Sequence, residues 1–126
     1  MNVVDSSCWL EFVENSPIRG VVAPIVLAPK HLLVPTVVLY EVYKKLLAMR
    51  GKDYADEFIE TMLTAEIVPL DTELSLNAAN ISREHKLAMA DSIIYATALQ
   101  YNAVLWTTDK HFEGLPNVRY FDKTKQ

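Results

Sequence analysis

Cysteine, glycine, basic excess and long apolar runs are all scarce in this chain, and each scarcity closes off a class of protein. A single cysteine, Cys8, means that no disulfide can form within the 126 residues, and such usage fits a reducing cytoplasm. Cys8 has no Cys or His at ligand spacing, so it reads as core packing. Three glycines, Gly20, Gly51 and Gly114, stand far apart and cannot build a Gly-rich phosphate loop. No apolar run approaches the roughly 20 residues needed to cross a bilayer. The longest, Val21 to Leu27, is broken by Pro24 and stopped at Pro29. The opening MNVVDSS carries no basic stretch and has an acid at position 5, unlike a secretory leader. The expectation is a cytoplasmic protein with no membrane partner. Basic residues are also in the minority, with 12 Lys and Arg against 16 Asp and Glu, where binding to phosphate usually brings a basic surface.

What is present is enough for one packed domain over 1–126. Apolar residues make up 51% of the chain, which supports a real core and argues against disorder. Short apolar runs alternate with segments of helical periodicity. Strands are expected at Asn2–Val4, His31–Val34, Glu66–Leu70, Ala103–Trp106 and Val118–Phe121. Between them, Trp9, Leu10, Phe12 and Val13 mark a helix ended by Asn15-Ser16-Pro17. A second is expected over Pro17–Ala28, kinked at Pro24. Thr36 can cap a longer helix to about Arg50, with Gly51 closing it. Further helices are expected at about Asp53–Thr64, Asp71–His85 and Asp91–Tyr101, then a helical turn through Phe112, and the polar tail Asp122–Gln126 reads as frayed. This alternation predicts an α/β fold, a three-layer α/β/α sandwich around a mostly parallel sheet. Ligands of such sheets gather at the C-terminal strand ends, near the point where strand order reverses.

Acids stand at several of those places. Asp5 directly follows the first strand, Asp109 closely follows the fourth, Asp91 opens a helix, and Glu41 lies six residues past Pro35. Carboxylates held a few ångströms apart repel and raise one another's pKa values, so a protein that gathers them normally binds a hard cation, Mg2+ or Mn2+. Each acid also has a plainer reading. Asp5, Asp91 and Asp109 stand where a helix N-cap is useful, and Glu41 has Lys44 and Lys45 at i+3 and i+4 for a surface ion pair. Spacing alone does not show that the four converge. Setting these four aside leaves acids and bases in balance, so the net charge of −4 weighs little against a nucleic-acid substrate, although it argues against tight metal-free binding of RNA.

Four blocks of sequence carry a resemblance: Val3-Val4-Asp5-Ser6-Ser7, Val34-Pro35-Thr36-Val37-Val38-Leu39-Tyr40-Glu41-Val42, Ala90-Asp91-Ser92-Ile93-Ile94-Tyr95-Ala96-Thr97-Ala98, and Leu105-Trp106-Thr107-Thr108-Asp109-Lys110-His111-Phe112. In this order, over essentially the whole chain, they resemble PIN-domain proteins, and specifically the VapC-type toxins of toxin–antitoxin pairs. The resemblance implies an endoribonuclease that hydrolyses RNA phosphodiesters with metal-activated water, leaving 5′-phosphate and 3′-hydroxyl ends. It implies Asp5, Glu41, Asp91 and Asp109 as metal-site acids for Mg2+ or Mn2+, with Ser6, Ser92 and Thr107 as supporting hydroxyls. For those three, capping or turn formation is the plainer reading. It further implies an RNA substrate, a small antitoxin protein as partner, and a homodimer. Part of the stripe Tyr54, Phe58, Ile59 and Met62, otherwise core, would then face a mate or an antitoxin helix. Lys44, Lys45, Arg50 and Lys110 could contact phosphates, and His111 could serve as an acid or ligand, although the family chemistry does not require it.

Two alternatives remain. A PIN-like domain without catalysis could serve as an RNA- or protein-binding module, but drift would tend to remove an acid from the set first. A receiver or dehalogenase-like phosphatase needs Asp-Asp or Asp-x-Asp at the first strand, where this chain has Asp5-Ser6-Ser7. No Ser/His/Asp pattern provides a side-chain nucleophile either.

Overall fold

In the computed structural model, residues 1–125 are described; Gln126, the last residue of the expected tail, lies outside the described residues. Five strands, β1 (Asn2–Val4), β2 (Leu32–Pro35), β3 (Glu66–Val68), β4 (Val104–Thr107) and β5 (Val118–Tyr120), form one sheet in the order β3-β2-β1-β4-β5. Every pairing is parallel, so the sheet is wholly rather than mostly so. Six α-helices connect them: α1 (Ser6–Val13), α2 (Arg19–Val26), α3 (Thr36–Arg50), α4 (Lys52–Met62), α5 (Thr72–His85) and α6 (Met89–Gln100). From β1 to β3 the chain moves one way across the sheet and from β3 to β4 it returns the other way, so crossovers of the usual right hand place α1 to α4 on one face and α5 and α6 on the other. Packing of α1 on α2 and α3, and of α5 on α6, accords with this three-layer arrangement.

Burial on both faces explains the apolar strands. All four residues of β2 are buried, as are Val3, Val4 and Leu105. Seven consecutive residues of α6, Ser92–Ala98, are buried too, which is why that segment shows no clean amphipathic period. The stripe on α4 belongs to the core: Met62 is buried, while Tyr54, Phe58 and Ile59 pack against it. Phe58 meets Trp9 edge-on and stacks on Tyr54.

Several element ends differ from expectation for identifiable reasons. Pro35, not Thr36, is the N-cap of α3, and Thr36 is its first residue. Gly51 both closes α3 and opens α4, at φ +84°, a conformation that only glycine adopts without strain. Helix α2 is shorter than expected, with Pro24 inside it on an exposed position. Helix α6 starts at Met89 with Ala88 as N-cap, so Asp91 lies within the first turn and caps nothing. In the described part of the tail the Asp122 carboxylate accepts from the Thr124 amide and hydroxyl, and a 3-10 turn spans Lys123–Lys125.

Sheet order reverses at β1, which has β2 on one side and β4 on the other. The crevice between the C-terminal ends of β1 and β4 is the place where this topology opens a site. Just beyond it, fully buried Phe112 packs its ring 6.2 Å from that of Tyr95, anchoring the turn after β4 to α6. Phe112→Ala is expected to cost about 3–5 kcal/mol, read as a lower urea midpoint.

Candidate active site

Asp5 leaves the end of β1 and caps α1. Its Oδ1 accepts from the Ser6 amide at 2.8 Å, and its Oδ2 accepts from the Ser7 hydroxyl at 3.1 Å and the Thr107 hydroxyl at 2.7 Å. The carboxyl is 3% exposed. Burial pushes its pKa up from 3.8 to about 6, against the lowering effect of the Thr107 and Ser7 hydroxyls, and the Asp91 and Glu41 charges raise it further.

Thr107, the last residue of β4, joins two of the acids. While its hydroxyl donates to Asp5, the same oxygen accepts from the Asp109 amide at 2.9 Å. Asp109 caps the 3-10 turn Lys110–Phe112, its Oδ1 accepting from the His111 amide at 2.9 Å. The His111 ring Nδ1 lies 2.9 Å from that same oxygen, with the ring largely in solvent.

Asp91 reaches the crevice from the first turn of α6. That helix runs back toward the start of β4, so its N-terminus lies at the strand C-termini, where its dipole favours a carboxylate. Burial again lifts this carboxyl to about 6, with Asp109 and then Glu41 adding to the rise and His111 opposing it. One ligand atom each from Asp91, Asp109 and His111 lie within 4.8 Å of one another. Glu41 approaches from α3, half-buried; it acts on both Asp5 and Asp91, and among the described residues no ion pair joins it to Lys44 or Lys45. The four acids therefore share one neighbourhood, although residues 5 and 109 are far apart in the chain.

The chain belongs to the PIN-domain family. A family model described as PIN domain matches residues 3–117, a span that holds all four acids. Solved structures of similar fold include a chain of a toxin–antitoxin complex from Klebsiella pneumoniae, 19% identical with a TM-score of 0.80, over 94% of this chain and 96% of that one. VapBC2 from Rickettsia felis, bound to a DNA fragment from their promoter, is 15% identical with a TM-score of 0.74, covering 96% and 98%. VapC20 from Mycobacterium tuberculosis, described as a sarcin–ricin loop cleaving toxin, is 16% identical with a TM-score of 0.69, covering 99% and 94%. At such identities the likeness is one of fold. No curated protein matches the chain.

In this PIN domain the supporting hydroxyls divide unevenly. Thr107 bonds Asp5 directly. Ser6 offers Asp5 its backbone amide, while the hydroxyl comes from Ser7, which also accepts from the Thr108 amide at 3.3 Å. The Ser92 hydroxyl donates to the Met89 carbonyl at 2.7 Å, closing the first turn of its own helix. Ser7 escaped the sequence reading, and its only signal was a second serine beside the first. The acids fit a divalent cation: the donors are hard oxygens, and two of the carboxyls are held at a pKa that a bound cation would restore.

Without metal, Asp5 and Asp91 hold their protons to higher pH in the folded chain than in the unfolded one. Their contribution to stability is complete below about pH 3.8 and is lost as pH rises through about 6. For Asp5 this amounts to ~3 kcal/mol. In EDTA, the wild type should therefore lose stability relative to Asp5→Asn between pH 4 and pH 7, followed by urea unfolding. Mg2+ at pH 7.5 should recover it for the wild type only.

Proposed function

We propose that this PIN domain is a metal-dependent endoribonuclease, the toxin of a toxin–antitoxin pair held in check by a small antitoxin protein. The observation that carries the reading is the gathering of Asp5, Glu41, Asp91 and Asp109 at the switch point of the sheet, with Asp5 and Asp91 both raised to about 6 by burial and by their acidic neighbours. Carboxylates arranged this way are unfavourable alone and become favourable around a cation.

Each acid contributes differently. Asp5 is held by three hydrogen bonds, from Ser6, Ser7 and Thr107. Asp109 is held by the Thr107 and His111 contacts. Asp91 sits on the first turn of a buried helix, and Glu41 closes the group from α3. Mg2+ or Mn2+ bound there would polarise a phosphoryl oxygen and acidify water. Water is the attacking group, because Cys8 is buried and its thiol is pushed up to about 12. Such a reaction leaves 5′-phosphate and 3′-hydroxyl ends. Toxin–antitoxin complexes among the structures of similar fold support the antitoxin partner, and a homodimer is the assembly we expect. We expect it to act on RNA in the cytoplasm; among the described residues no helix is long and apolar enough to cross a membrane.

Purified protein incubated with mixed cellular RNA should yield fragments with Mg2+ or Mn2+ and none with EDTA. Asp91→Asn should lower cleavage by at least about 100-fold while melting no earlier than the wild type in EDTA, since it removes a charge from a crowded site. Metal binding without cleavage would point instead to a binding module.

A further inference from the structure

Beside Glu41 on α3, Tyr40 leaves 63% of its surface exposed, the degree seen for Leu76 in open solvent on α5. It lines two grooves of similar size, about 550 Å3 and about 530 Å3. Both fall in the range that accommodates a ligand of nucleotide size. Their charges differ. The first, between α3 and α4, has Asp56 and Glu60 among its walls; Asp56 is engaged by Tyr43 and Lys52, and Glu60 is exposed. The second has Lys44 and Lys45 on its wall, and among the described residues neither forms an ion pair. Lys44 Nζ lies 5.8 Å from the Tyr40 ring centroid.

Position adds to charge. Glu41 and Ser6, the residue after Asp5, both line the second groove, so it adjoins the acid cluster. Tyr40 is a largely exposed aromatic ring one residue from a carboxylate of the site, with the Lys44 ammonium over it and Lys45 on the same groove. With both lysines free of carboxylate partners among the described residues, the groove has the parts needed to hold a polyanion whose bases are free to stack. A duplex offers no such base, and a neutral or acidic peptide would not need both features.

We infer that Tyr40, Lys44 and Lys45 form the subsite for a nucleotide adjoining the cleaved phosphate in single-stranded RNA, its base stacked on the exposed side of Tyr40 and its phosphates held by the two lysines. Cleavage next to this subsite rests on the nuclease reading above; binding in it does not.

The test uses a fluorescein-labelled single-stranded oligoribonucleotide of mixed sequence, read by anisotropy with Mg2+ in the Asp91→Asn chain, alongside steady-state cleavage by the wild type. Adding Tyr40→Ala should weaken single-strand binding about tenfold or more, the range of one base–aromatic stack, while Tyr40→Phe retains it. A labelled RNA duplex should bind the Tyr40 variants alike. Lys44→Ala with Lys45→Ala should flatten the slope of log affinity against log salt by about 1.4, as expected for two phosphate contacts on a single strand. In cleavage, Tyr40→Ala should raise KM more than it lowers kcat. If the wild type cuts RNA and Tyr40→Ala binds single strands unchanged, the subsite is overturned and the nuclease reading stands. If nothing is cut but the binding losses appear, the nuclease reading fails and the subsite survives. Unchanged RNA binding with a weakened complex with an antitoxin protein would assign Tyr40 to a protein interface and overturn the proposal.

Discussion

A buried carboxyl that must tolerate other carboxyls is the constraint on which this end of the molecule is built. Asp5 lies where β1 ends, shielded from water and within reach of the Asp91 and Glu41 charges. Two hydroxyls and one amide compensate it, and the most consequential is Thr107, because its oxygen donates to Asp5 and accepts from the Asp109 backbone at once. That single oxygen ties the end of β1 to the loop after β4. It fixes the spacing of two acids through one fully buried side chain rather than through surface contacts that solvent would screen.

Much of the architecture was legible in the sequence because its signals are local. Val3-Val4, Leu32-Leu33-Val34 and Leu105 read as strands buried on both faces, and parallel pairing follows from the helices between them. Element ends were less legible where two residues competed for the same job. Pro35 and Thr36 both suit the start of α3, and a β-region φ and ψ at Pro35 decides it. Asp91 looked like a cap, yet the helix begins two residues earlier at Met89, leaving the carboxylate free to face the other acids.

For the site, residue identity was readable and convergence was not. Asp5 and Asp109 do cap, as their plainer reading held, and they gather with the others as well: both cap through Oδ1, while Asp5 Oδ2 takes the Ser7 and Thr107 hydroxyls that tie it into the cluster. The choice between Ser6 and Ser7 depends on which hydroxyl the first turn of α1 rotates toward Asp5, a matter of helical phase that adjacent identical residues conceal. The cross-sheet bond from Thr107 spans 102 residues and has no local signature. The modest acidity of the chain is explained by the cluster itself, with the remaining charges of both signs in balance.

The pairing of β1 with β4 has a temporal consequence. Strands β1 and β2 and helix α3 lie in the first half of the chain, so two of the acids are synthesised early, but the sheet cannot bring Asp109 beside Asp5 until β4 has been made and has inserted next to β1. Parallel pairing between distant strands is also among the slower steps of folding. A ribosome-bound or half-folded chain thus carries its acids apart, and the cluster comes into being only as the last central strand docks.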